Sequence, residues 1–344
     1  MGEAGWNGRI SAYVHGDSEA YKEQWSVPAP LDASLSHSAF ADEDDDIAES
    51  RPTRGRVANG TSSAMQVEVL RLDAAYRLAA NQGRVMEAGD LLERSLFVRV
   101  DVFGPSSPEA DSACRALVTH FNSAGMQALH ASNFTLAFEL LRKAEVLTRK
   151  NSVISRREDR LRHRAISLNN LGCVYRRRRK LHAALRCLEQ ALTLELSIAE
   201  EAAARSPRLG HDEAREEGAG GVLPVDGPAD THLNLAAVLS ELGQHSAALS
   251  HVECALTLLP DLAPLCEAAL AAGTAVAAPG ADVYAAACHN AAVEHRALGH
   301  REAAAFFFER AHLAAAATWG VHHARAVALR RAWEEAVHEL SARA

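Results

Sequence analysis

Aromatic residues are scarce in this chain: Phe, Trp and Tyr make up 5% of its 344 residues, although 48% are hydrophobic. Much of the apolar fraction is alanine, which has the highest helix propensity and lets neighbouring backbones approach closely. That balance suits many thin helices packed side by side and suits a thick globular core poorly. Cysteine pairs are missing as well. Cys114, Cys173, Cys187, Cys254, Cys266 and Cys288 are scattered without a Cys-x-x-Cys, which reads as a reduced intracellular, cytoplasmic protein. No stretch reaches the roughly 20 consecutive apolar residues of a membrane span. The nearest, from Leu262 to Ala278, is interrupted by Pro264, Glu267 and Gly273. The opening residues hold no apolar run and no Ser or Thr of a myristoylation signal, so neither a leader nor a membrane partner is expected.

Catalytic signatures are equally absent. The chain has no Gly-x-x-x-x-Gly-Lys-Ser/Thr, no Gly-x-Ser-x-Gly and no His-Glu-x-x-His. An enzyme is therefore not expected, and no cofactor. The 17 histidines raise the question of metal. His289 and His295 lie six apart, nearly on opposite faces of a helix, and cannot share one ion. They read as surface or hairpin-contact histidines.

What is present is helical and repetitive. Residues 1–62 read as a disordered acidic tail, because glycine, serine, proline and charge dominate without a lasting apolar period. From Val67 helical patterns run to the C-terminus, with no alternating strand pattern long enough to count. Two interruptions, about 204–228 and 260–280, read as loop insertions, the second with room for a short helix between its prolines. A self-comparison then aligns five segments. Taking Ala236 as origin, Leu235 and Leu239 share its helix, Gly243 marks a turn, and Ala248, Val252 and Ala255 follow on a second helix. The same offsets from Gly172 give Leu168, Leu171, Ala184, Leu188 and Ala191. From Ala292 they give Gly299, Ala304, Phe308 and Ala311, and from Gly125 they give Phe121, Ala137, Leu141 and Ala144. A weaker copy runs Leu72, Ala79, Gly83, Ala88, Leu92 and Ser95, with Tyr76 at the origin. Small residues thus fall where two helices of a hairpin cross, and large ones fill the gaps.

This pattern resembles the tetratricopeptide repeat family over residues 66–318. LLERSLFVRVDVFGPSSPEA, LNNLGCVY and AVEHRALGHREAAAFFFERA look like the longer repeats of kinesin light chains. The equivalent alanines, Ala88, Ala137, Ala184, Ala248 and Ala304, are 47 to 64 residues apart, against roughly 34 in the family. Helices must be extended or loops inserted. The resemblance implies an all-α helical-hairpin solenoid behind a disordered N-terminal tail. Residues 322–343 read as a C-terminal capping helix.

The resemblance also implies a concave face lined by the first helix of each hairpin, as in a scaffold or adaptor that binds another protein. Two residues before the origin, three copies carry asparagine: Asn170, Asn234 and Asn290. Side-chain amides both donate and accept, so a ladder of them could hold an extended peptide backbone. The kinesin light chain groove has such asparagines. They could instead bond within the solenoid and brace adjacent hairpins. By the same offsets Arg77, Asn122, Asn169, Arg176, His289 and Arg296 join the groove. This polar, positive face, in a chain of formal charge −8, favours an extended acidic peptide segment.

A second reading starts from residues 142–180, which hold 14 basic residues against three acidic, including the run 176–180. Such a run is either a solvated face or a docking surface for a polyanion, microtubule or RNA, with a cytoskeletal location in the first case. RNA is disfavoured because no aromatic platforms stand beside the arginines. Finally, residues 1–50 carry eleven acidic side chains against two basic, with Trp6, Tyr13, Tyr21 and Trp25 interspersed. Such a tail could dock intramolecularly in the positive groove.

Overall fold

The computed structural model describes residues 59–205, 228–259, 262–274 and 280–342. Residues 1–58 of the tail read at 1–62, its docking and most of the 204–228 insertion lie outside the described residues, while 59–62 belong to a helix. Among the described residues every regular element is a helix. They are α1 (Asn59–Asn81), α2 (Val85–Phe103), α3 (Pro108–His130), α4 (Phe134–Leu147), α5 (Arg157–Arg177) and α6 (Leu181–Arg205). After the gap come α7 (Pro228–Glu241), α8 (His245–Leu258), α9 (Ala263–Ala271), α10 (Ala281–Ala297), α11 (Arg301–Trp319) and α12 (Ala324–Ser341).

The helices pair as α1/α2, α3/α4, α5/α6, α7/α8 and α10/α11, and each pair packs on the next. The all-α hairpin solenoid is the observed architecture. The short helix expected between the prolines is α9, which packs on α11. α1 starts at Asn59, before the point where apolar periodicity begins at Val67.

The turns inside the hairpins show how strictly the repeat is kept. Seven residues after each origin, Gly83, Ser132, Arg179, Gly243 and Gly299 all have positive φ, from 59° to 82°. Glycine takes this left-handed conformation freely, whereas Ser132 and Arg179 adopt it against the steric preference of an L side chain. The next helix is capped by the following residue in the second hairpin, where Asn133 accepts from the Leu136 amide.

The core is layered by the same register. Ala88, Ala137, Ala184, Ala248 and Ala304 are all at most 1% exposed. A Cβ at Gly125 would stand 2.6 Å from Leu141 Cγ, and one at Gly172 the same 2.6 Å from Leu188 Cγ. The small origins are therefore crossing points. α12 is joined to α11 in the manner of α3 to α2: Gly320 and Gly104 both have φ near 90°, and each accepts from the amide three residues on, His323 and Ser107. α12 then lies on α11 as α3 lies on α2.

Candidate functional site

The first helices form a continuous inner layer, α3 on α5, α5 on α7 and α7 on α10. Asparagine amides bridge successive helices of this layer. Asn170 on α5 donates from Nδ2 to Asn122 Oδ1 on α3 at 3.1 Å. One hairpin on, Asn234 of α7 donates to Asn169 Oδ1 of α5, also at 3.1 Å. Asn122 further donates to Ser167 Oγ at 2.9 Å and to the Val118 carbonyl at 3.1 Å. Two residues before one origin thus bonds three residues before the previous one, and the asparagines join hairpin to hairpin. Asn122, Asn169 and Asn170 are buried, at 6%, 4% and 6% exposure. Asn234 is half-buried.

The ladder stops at the next step for a chemical reason. Leu233 stands where Asn122 and Asn169 stand in the earlier copies, and a leucine side chain cannot accept. Asn290 on α10 is half-buried and makes no side-chain hydrogen bond among the described residues. Next to it His289 lies against the Phe308 ring, centroids 5.8 Å apart, with Nδ1 buried and lacking a partner. Burial, helped by the charge of Arg296, holds its pKa below the usual histidine value. The exposed Arg296 guanidinium stands 5.2 Å over that same ring. His289 and Arg296, seven residues apart on α10, thus share the Phe308 ring, while Asn290 keeps its polar capacity unspent on another face of that helix. Arg176, by contrast, pairs with Glu241 at 3.0 Å, and Arg179 pairs with the same carboxylate at 2.6 Å. Arg77 is exposed on α1. His295 sits beside His300 and stacks on Phe307, away from the His289–Phe308 contact. No group of three or more metal-ligating side chains forms among the described residues. No single described helix is long and apolar enough to cross a membrane.

Sequence reasoning passed over several buried charges. Asp111 is 6% exposed. Burial alone would raise its pKa, but the Ser155 backbone and hydroxyl donate to it at 2.7 and 2.9 Å and Arg115 lies alongside, so the net direction is down. Glu294, 3% exposed, meets His245 across hairpins at 2.8 Å. Glu145, 4% exposed, receives Arg142 and Arg149 at 2.9 and 3.1 Å, with Arg164 at 3.9 Å. The signal for Glu145 was available: the same register holds Leu96, Leu192, Leu256 and His312 in the other copies.

Two solved structures are similar to the chain, both described as kinesin light chain nearly identical TPR-like repeats from Podosopora anserina. They share 17% and 18% identity, cover 72% of this chain and 95% of their own, and superpose with a TM-score of 0.38. No curated protein matches. A family model described as "Tetratricopeptide repeat" matches residues 164–194. That segment spans the Gly172–Leu188 crossing and the Asn169–Asn170 pair, so the third hairpin of this solenoid is the part that matches a tetratricopeptide repeat.

Proposed function

We propose that the protein is a non-enzymatic scaffold whose inner face captures an extended, acidic segment of a partner protein. Tetratricopeptide repeats in general serve protein–protein interaction. The observation that carries the finer reading is on α10, where Asn290 keeps an unbonded amide and Arg296 holds an exposed guanidinium over the Phe308 ring that His289 also meets. An amide can hold a peptide backbone while a guanidinium selects a carboxylate. The opening rungs, Asn122 with Asn170 and Asn169 with Asn234, align the inner helices that lead to α10. Arg77 extends the positive face at the other end of the layer.

The test is capture of partners by full-length protein, identified by mass spectrometry, beside the double variant Asn290→Ala, Arg296→Gln. Loss of acidic-segment partners with unchanged helicity supports the proposal. Unchanged capture refutes it. If binding instead falls steeply with salt and is insensitive to this variant, docking of the 142–180 surface on a polyanion becomes the better reading.

A further inference from the structure

The repeat register predicts an apolar contact wherever the second helix of one hairpin meets the first helix of the next. Leu96 on α2 and Leu117 on α3 make that contact in one core cluster. Leu256 on α8 and Tyr284 on α10 make it in another. Between α4 and α5 the same two positions hold Glu145 and Arg164, 3.9 Å apart. A buried ion pair at such a position is commonly no more stable than the apolar pair it replaces. A charge placed against the rule of its own repeat is the kind of departure that points to function.

The surroundings strengthen the case, because the charges do not balance. Arg149 reaches both Glu145 oxygens, at 3.3 and 3.1 Å, and Arg142 reaches Oε2 at 2.9 Å. Arg164 keeps its Nε buried without a hydrogen-bond partner. One turn earlier on α5, Arg160 is half-buried and forms no ion pair among the described residues. Burial and the neighbouring Arg164 disfavour the charged form of both Arg149 and Arg160. Three guanidinium groups thus converge on one carboxylate, with Arg160 beside Arg164. The next arginine, Arg157, is engaged by Glu201. The run at 176–180 is a separate matter, partly neutralised by Glu241.

We propose that Arg142, Arg149 and Arg164, gathered around Glu145 between α4 and α5, form with the neighbouring Arg160 a binding site for a phosphate monoester, free or carried on a protein side chain. A planar guanidinium with forked donors matches the oxygens of a phosphoryl group, and a dianion offsets more of the excess charge than a carboxylate would. The compactness of the cluster favours a single dianion over a track of singly charged diesters. Arg160 and Arg164 supply the donors that the protein leaves unspent, while Glu145 holds the arginines in place until the ligand arrives. This site is independent of the α10 residues and stands whether or not that groove binds a peptide.

The experiment uses the full chain and reads fluorescence anisotropy with a labelled phosphoserine peptide, the same peptide unphosphorylated, and inorganic phosphate as competitor at matched ionic strength. The phosphoserine peptide should bind at least about tenfold more tightly than its unmodified partner, and phosphate should displace it where chloride does not. Arg164→Gln and Arg160→Gln should each weaken binding about tenfold. Arg160 has no ion pair to lose among the described residues, so its variant should keep the fold, which circular dichroism checks. Asn290→Ala with Arg296→Gln should bind the phosphopeptide as the unaltered protein does. Equal affinity for the two peptides, unaltered binding by Arg160→Gln, loss of binding by the α10 variant, or tighter binding of single-stranded RNA than of the phosphopeptide would each overturn the proposal.

Discussion

Gly172 faces Leu188 so closely that a Cβ on the glycine would stand 2.6 Å from the leucine Cγ. Gly125 and Leu141 repeat that geometry one hairpin earlier. In the next hairpins the same offsets pair Ala236 with Val252 and Ala292 with Phe308. The crossing therefore accepts several complementary pairs, and in the second and third hairpins the leucine opposite leaves no room for a Cβ.

Gly172→Ala should destabilise the protein by about 1–3 kcal/mol, because overpacking outweighs the helix propensity that alanine adds. Adding Leu188→Val, which recreates the Ala236/Val252 pair, should recover most of the loss. Chemical denaturation of the three proteins checks this, and an unrescued double variant would contradict it.

Asn170→Ala should cost about 1–3 kcal/mol, since it strands the buried Asn122 oxygen. Asn290→Ala should change stability by no more than about 0.5 kcal/mol, because that amide has no intramolecular bond to lose. Melting of the two variants separates bracing from binding within a row of asparagines that look alike in sequence.

Ser132→Gly should stabilise the protein by about 0.5–1 kcal/mol. Ser132 has φ 61° in a turn whose counterparts Gly83, Gly243 and Gly299 are glycine, and relief of that conformation exceeds the entropy added to the unfolded chain. The midpoint of denaturant unfolding is the readout. Arg179 is a poorer choice for the same change because it also pairs with Glu241.

Stability should fall as pH drops below about 6.5. Burial lowers the pKa of His163, His232, His251, His289 and His295 from the ordinary 6.5. A base with a lowered folded-state pKa binds fewer protons folded than unfolded, so its contribution is present above 6.5 and lost on acidification. The Nδ1 atoms of His232 and His251 lie 2.9 Å apart, which lets one donate to the other but not both carry a proton there. Melting temperature should decline from pH 7.5 to 5.5, and His251→Gln should flatten part of the decline. A flat profile over that range would contradict the assignment.

Much of the fold was legible because the repeat writes the same physics several times. Small residues at Gly125, Gly172, Ala236 and Ala292, alanines twelve residues on, and turn residues at the seventh position each record a steric demand that any copy must meet. The candidate groove was legible only as a set of positions. Asn122, Asn170 and Asn290 share a residue type, yet the first two bond each other across hairpins while the third has no such bond. The difference arises from Leu233, which no local pattern links to Asn290.

The sequence by itself determined the helical hairpins, their order and their crossing points, because these follow from period, side-chain size and turn conformation within some forty residues. Only the tertiary structure decided which polar groups are spent and which remain. Glu145 reads in sequence as one acidic residue within a basic run, and packing of α4 on α5 makes it the buried centre of an arginine cluster. Arg176 and Arg179 read as exposed charge, and Glu241, 62 residues beyond Arg179, claims both. Hydrogen bonds and ion pairs act over a few ångströms between residues that the chain separates by a whole hairpin, so their partners are set by packing and not by local pattern.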